Sequence, residues 1–350
     1  MFNIENKAVG GGARCYVIAE VAQSHDGSLG MAHAFIDAAA AAGADAIKFQ
    51  THIADQESTF DEPFRVAFSK QDARRFDYWK RMEFTAEQWQ GLRDHAREQS
   101  LTFLSSAFSV AAVELLDRLD IAAWKIGSGE FRSTDLLAAV MATDKPVLFS
   151  TGMSNWQEIT DAVEAFRARA VTFALFQCTS QYPTPLNRVG LNVIDEMKAR
   201  YNCPVGLSDH TGSVYPAHAA IARGADLLEV HVAFHKAMFG PDVPASLTFE
   251  ELADVVRMRD ACAVMGANAV DKDQAAVELQ ELRVIFTKSL APVARLSTGA
   301  VLQKDMLTGK KPGTGIPFDA LDEVVGRRLL EDVEPERLLR WADLSEKIDA

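Results

Sequence analysis

The sequence is short of cysteine, of long apolar runs and of positive charge, and each shortage removes a class of function. Its four cysteines, Cys15, Cys178, Cys203 and Cys262, lie far apart with no C-x-x-C pair. That spacing argues against a disulfide framework and fits free thiols in a reducing compartment. No apolar run approaches the roughly 20 residues of a membrane span, so no membrane partner is expected. The amino-terminal stretch MFNIENKAVGGG is polar and glycine-rich and lacks a signal-peptide core, which makes the cytoplasm the expected location. With 36 Lys and Arg against 49 Asp and Glu, the net charge of −13 argues against a nucleic-acid partner. Any anionic ligand must then be held by a local basic cluster.

What is present reads as an enzyme-sized globular chain of 350 residues, 48% hydrophobic and 24% charged. That is long for one ordinary domain but fits an α/β barrel of about 250 residues with a small appendage. Eight short segments, apolar and β-branched or aromatic, recur along the chain: Tyr16–Val21, Asp45–Thr51, Thr102–Phe108, Ala123–Gly129, Pro146–Gly152, Val171–Ser180, Val205–Thr211 and Leu227–Ala233. Helical stretches separate most of them, among them Leu29–Ala42, Ala86–Gln99, Val110–Leu119 and Tyr215–Arg223. Strand, helix, strand units return the chain to a parallel neighbour. Eight such repeats in about 230 residues predict a closed (β/α)8 TIM barrel rather than an open sheet. The least regular interval, His52 to Glu83, carries aromatics, Pro63 and Arg74-Arg75 and reads as a long insertion after a strand.

In such barrels the carboxyl ends of the strands carry the active site. Here those ends are Glu20, Lys48, Gln50, Ser105, Lys125, Ser128, Ser150, Thr151, Thr179, Ser180, His210 and His231. His210 and His231 fall on neighbouring predicted strands, so their imidazoles can meet and, with carboxylates nearby, hold a divalent metal. Each could equally be a satisfied strand-end histidine. Lysines facing hydroxyls and amides suit a small ligand bearing phosphate and carboxylate. Two other readings of Lys48 and Lys125 stand beside that one: a Schiff base, as in a barrel aldolase, and simple pairing with acids such as Glu20 and Glu130.

The tail differs in character. Residues 1–266 read as the barrel, 267–283 as a polar helix-and-linker region, and 284–350 as a small, loop-rich, mostly β domain. The pair Lys310-Lys311 before Pro312-Gly-Thr-Gly-Ile316 could be a solvated turn.

Several motifs together carry a resemblance. Ala19-Glu20 with His25-Asp-Gly27, Ile47-Lys-Phe-Gln-Thr51, Trp124-Lys-Ile-Gly-Ser-Gly-Glu130, Ser150-Thr-Gly-Met153, Cys178-Thr-Ser with Tyr182-Pro183, Gly206-Leu-Ser-Asp-His-Thr211 and Gly240-Pro-Asp242 stand in the order found in the sialic acid synthase family. Pro312 to Ile316 resembles the signature of that family's C-terminal antifreeze-like (SAF) domain. The resemblance covers almost the whole chain.

It implies condensation of phosphoenolpyruvate with the open-chain aldehyde of an N-acetylated amino sugar, giving a nine-carbon 2-keto acid and phosphate. By the same resemblance a divalent metal, typically manganese with magnesium or cobalt as alternatives, is held by His210 and His231. Lys48, Lys125, Ser128, Ser150, Ser180 and Ser208 match the phosphoenolpyruvate site. Glu20, Gln50, Tyr182 and Asp242 match positions near the sugar or the reacting centre. The resemblance also implies a domain-swapped homodimer in which each antifreeze-like domain covers the partner's site, with Lys311 reaching the sugar. Departures from the common pattern at Ser24, Ser180, Val243 and Lys311 bear on the sugar more than on the reaction, so N-acetylmannosamine and 2,4-diacetamido-6-deoxy sugars both remain as acceptors. A phosphorylated aldose would need a further basic cluster, which the strand ends lack.

Overall fold

A short antiparallel hairpin, β1 (Phe2–Ile4) and β2 (Lys7–Val9), precedes eight parallel strands that close into a barrel in the computed structural model, which describes residues 1–347. The barrel strands are β3 (Tyr16–Ala22), β4 (Ala46–Thr51), β5 (Thr102–Ala107), β6 (Trp124–Ile126), β7 (Val147–Ser150), β8 (Phe173–Cys178), β9 (Val205–Asp209) and β10 (Leu227–His231). Each pairs with the next, and β10 returns to β3. All eight apolar segments expected to be strands are barrel strands.

Period-two alternation along these strands sorts their side chains into two cores. Val17, Ala19, Ile47, Phe49, Phe149 and Val230 face outward into the layer packed under the helices. Ile18, Ala46, Leu104, Leu148, Phe176 and Leu227 fill the interior, together with Ile4 and Val9 of the hairpin. Two residues further along the same faces stand Glu20, Lys48, Ser106, Ser150 and Glu229, all buried. The barrel interior therefore changes from hydrocarbon to charged and polar within one step of the pleat.

The outer helices follow from local signals. In α1 (Leu29–Ala41) the Ser28 hydroxyl accepts from the Met31 amide at 3.3 Å, and Gly43, at φ +80°, turns the chain toward β4. Two short helices, α2 (Ala54–Glu57) and α3 (Arg75–Met82), lie in the expected insertion. Tyr78, Trp79 and Met82 pack there with Phe64, Phe68 and Phe76 as a separate small core. A capping box of Thr85 and Gln88 opens α4 (Ala86–Glu98). The ring continues with α5 (Val110–Arg118), α6 (Thr134–Met141), α7 (Trp156–Ala168), α8 (Leu191–Tyr201), α9 (Val214–Ala222) and α10 (Phe249–Ala267).

Contacts divide the chain into Met1–Ala267 and Asn268–Ala350. The second unit holds α11 (Lys272–Glu278) and α12 (Gln280–Phe286), so the stretch 267–283 contains α11 and the start of α12. Its antiparallel pair, β11 (Ser289–Pro292) with β12 (Leu307–Lys310), packs around Leu290, Leu302, Ile316, Val333 and Leu339. Among the described residues no helix is long and apolar enough to cross a membrane.

Asp45 closes the amino end of the barrel. Its Oδ2 accepts from the Val17 amide at 3.0 Å and from Arg259 Nη1 of α10 at 2.7 Å, while Arg14 Nη2 reaches Oδ1 at 2.8 Å. Arg259 is only 3% exposed, so Asp45→Ala would leave a guanidinium buried with Asp260 as its remaining acid. The expected loss of stability is about 3 to 5 kcal/mol, read as a lower urea midpoint at unchanged slope.

Candidate active site

Two buried lysines and two buried carboxylates share the barrel mouth. Lys48 on β4 lies 2.7 Å from Glu20 Oε2 on β3 and 3.8 Å from Glu229 Oε2 on β10. Lys125 on β6 lies 2.9 Å from Glu229 Oε1, which also accepts from the Ser208 hydroxyl at 3.1 Å. Burial works against the charge on Lys48, but Glu20 and Glu229 outweigh it and raise its ammonium. Glu229 is likewise opposed by burial yet lowered by Lys125 and Lys48. For Glu20 burial prevails and raises the carboxyl, with Lys48 opposing and Glu229 reinforcing. Of the alternative in which the lysines pair with Glu20 and Glu130, the Glu20 pair forms and the Glu130 pair does not: Glu130 accepts from the Ser133 hydroxyl at 2.5 Å, and the second carboxylate of the cluster is Glu229.

A ring of hydroxyls faces these charges. Ser128, at the start of the turn after β6, accepts from the Gly152 amide at 3.0 Å. A Cβ at Gly152 would stand 2.7 Å from Ser180 Oγ and 2.9 Å from both Ser128 Oγ and Cys178 Sγ, so only glycine lets these groups converge. Ser150 Oγ is buried without a hydrogen-bond partner. A deep hydroxyl left unpaired beside lysines is chemistry suited to an anionic ligand.

His210 follows β9 and His231 ends β10, with ring centroids 5.1 Å apart. The His210 Nδ1 faces the Thr179 carbonyl at 2.9 Å, which places the proton there and leaves the Nε2 lone pair for the Tyr182 hydroxyl, also at 2.9 Å. His231 Nδ1 is buried without a partner. Burial above all pushes both imidazoles down to about 3; the charge of His231 adds to it at His210, and at His231 Glu229 opposes while Lys48 and Lys125 add. Neutral rings, one with its tautomer set and one with an orphaned nitrogen, fit a divalent metal. Among the described residues no cluster of three or more His, Cys, Asp or Glu side chains is arranged to hold an ion, so the protein's own share of such a site is these two imidazoles.

All of this opens into one cavity of about 720 Å³ lined by Glu20, Lys48, Gln50, Lys125, Ser128, Ser150, Ser180, Tyr182, Ser208, His210, His231 and Asp242. Lys48, Lys125, Ser128, Ser150 and Ser208 are buried, whereas Gln50, Ser180, Tyr182 and Asp242 are half-buried. Lys311 belongs to the second unit, where its ammonium lies 4.7 Å from the Phe286 ring centroid. Among the further lining residues, Glu229 and Arg65 lie outside the strand-end set. Glu229 sits inside an apolar strand, and its one signal is that it stands two residues before His231 and so shares its face. Arg65, from the insertion, lies 4.1 Å from the Tyr182 ring centroid and 2.7 Å from Asp242, and nothing in its local sequence marks it.

Residues 35–270 match the NeuB family, and residues 287–345 match the SAF domain. The chain belongs to the NeuB family. An N,N'-diacetyllegionaminic acid synthase of Campylobacter jejuni is 30% identical over 331 residues, covering 93% of this chain and 98% of that protein. Human N-acetylneuraminate-9-phosphate synthase is 30% identical over 336 residues, 94% of this chain and 92% of that one. Among solved structures, an N-acetylneuraminic acid (sialic acid) synthetase from Leptospira borgpetersenii in complex with citrate superposes with a TM-score of 0.70 at 26% identity, covering 81% of this NeuB-family chain and 95% of the other.

The depressed histidines make a pH signature. His231 falls from an ordinary 6.5 to about 3, so between those values the unfolded chain binds a proton that the fold refuses. Its contribution therefore lowers stability as pH drops through that window. In metal-free protein, His231→Gln should lose less stability than the parent between about pH 7 and about pH 5, the difference in slope approaching one proton. Urea midpoints across that range read it directly.

Proposed function

We propose that the protein condenses phosphoenolpyruvate with the open-chain aldehyde of an N-acetylated amino sugar, giving a nine-carbon 2-keto acid and phosphate. The observation that carries this reading is the meeting, at one barrel mouth, of the Lys48–Lys125 cluster with the neutral pair His210 and His231. Family membership supports the class, and the names of the relatives support a sialic-type product.

In this reading Lys48, Lys125 and the hydroxyls of Ser128, Ser150, Ser180 and Ser208 take the phosphate and carboxylate of phosphoenolpyruvate in the deep part of the cavity. Gln50, Tyr182 and Asp242 take the sugar at the rim. His210 and His231 would hold a divalent metal, manganese first among candidates, which supplies Lewis-acid polarisation of the aldehyde oxygen when bound. Carbon-3 of phosphoenolpyruvate bonds to the aldehyde carbon, water adds at carbon-2, and the bond between carbon-2 and the bridging oxygen breaks as phosphate leaves. Glu20, with its carboxyl raised by burial, is the group suited to exchange a proton with that water. A Schiff base at Lys48 is disfavoured because Glu20 and Glu229 keep its ammonium charged.

Incubation with phosphoenolpyruvate, manganese and each candidate sugar, N-acetylmannosamine or a 2,4-diacetamido-6-deoxy hexose, should give a keto acid of matching mass with one of them. Chelator should abolish turnover and manganese restore it, whereas His210→Ala and His231→Ala should not be rescued. Label at the bridging oxygen should appear in phosphate, and label in the keto acid would overturn the mechanism. The same proposal includes a cytoplasmic homodimer in which Lys311 serves the partner's sugar site. Lys311→Ala should then raise the sugar Michaelis constant roughly ten- to a hundredfold while leaving that of phosphoenolpyruvate unchanged.

A further inference from the structure

His52 stands just past β4, where the chain leaves the barrel for the insertion, and is only 5% exposed. Its ring is sandwiched between Trp79, at a centroid distance of 3.9 Å and 14°, and Phe108, at 4.3 Å and 8°. Both ring edges face oxygen. Nδ1 meets a carboxylate oxygen of Glu57, whose other oxygen accepts from the Ile53 amide at 3.2 Å, and Nε2 meets Gln50 Oε1 at 3.3 Å. Gln23 Nε2 donates to the same Gln50 oxygen at 3.3 Å, and Gln50 Nε2 donates to Glu20 Oε1 at 2.9 Å. A continuous chain of polar contacts thus runs from Glu57 in α2 to the Glu20–Lys48 pair.

We propose that His52 is a positioning residue that, anchored by Glu57, decides which way round the Gln50 carboxamide stands. A carboxamide has almost the same shape in its two orientations, so packing cannot choose between them; its hydrogen-bond partners do. In the orientation present the oxygen receives the His52 and Gln23 N–H groups and the amide nitrogen donates to Glu20. Turned over, Gln50 would oppose an oxygen to the Glu20 carboxylate and its own N–H groups to those of His52 and Gln23. Glu57, held in turn by the Ile53 amide, fixes the far edge of the ring and with it the line along which Nε2 meets Gln50. The inference rests on the reaction proposed above only in that Glu20 acts there.

Two near-isosteric variants test it. His52→Phe keeps a flat ring between Trp79 and Phe108 but has no N–H, and Glu57→Met is close in length but has no oxygen to meet Nδ1 and fix the far edge of the ring. Each should lower kcat about tenfold or more with the Michaelis constant for phosphoenolpyruvate within about twofold, and the double variant should be no slower than His52→Phe alone. A parental kcat in either variant, or losses that multiply in the double variant, would overturn the proposal. A second readout needs no substrate: with 15N-labelled glutamine, the Gln50 side-chain amide resonance, assigned by its disappearance in Gln50→Ala, should move in both variants. If it stays in place the positioning role is wrong. If the parent enzyme turns over none of the sugars, the reaction proposed above is wrong and this resonance alone decides the role of His52.

Discussion

Everything at the barrel mouth depends on four charges that cannot do without one another. Lys48, Lys125, Glu20 and Glu229 are each almost fully buried, and an isolated ion at any of these positions would shift its protonation or destabilise the fold by several kcal/mol. Two ammoniums balanced by two carboxylates make the burial tolerable. Strand order makes it possible: β10, β3 and β4 are consecutive neighbours, so His231, Glu20 and Lys48 stand side by side in register. The imidazoles of His210 and His231, with ring centroids 5.1 Å apart, stand beside this charged cluster in the same cavity.

Burial grades the cavity. Ser128, Ser150 and Ser208 are buried, whereas Gln50, Ser180, Tyr182 and Asp242 are half-buried. Tyr182 joins the levels, since its ring stacks on His210 at 4.0 Å while Arg65 covers its outer face. The insertion that supplies Arg65 also supplies Trp79 and Glu57, so a segment that looks irregular in sequence contributes part of the cavity wall.

Much of this is legible in the sequence. Short apolar segments with helices between them leave few topologies, and the eight strands follow. Strand-end polar residues could be gathered because the barrel brings them together wherever they lie in the chain. Glu229 is not marked by the strand ends because it lies one pleat deeper, although its spacing from His231 assigns its face. Arg65 and His52 were beyond reach for another reason: what each does is set by Tyr182 and Asp242, or by Phe108 and Trp79, which long-range packing delivers. The antifreeze-like tail is marked by its motif more than by pattern, since its strands are few and short.

The abrupt change inside the barrel has a consequence for how such a chain can vary. Ile18 and Glu20 share a face, as do Ala46 and Lys48, only because an even number of steps separates them. Exchanging one aliphatic residue for another below the charged ring is a graded change in packing. Adding or removing a single residue there is not graded at all: it would turn the charged side chain toward the helices and an aliphatic one toward the cavity. Strand length beneath this site is thus counted in whole pleats, and drift in the chain is confined to the loops, where a residue more or less leaves the parity of every strand intact.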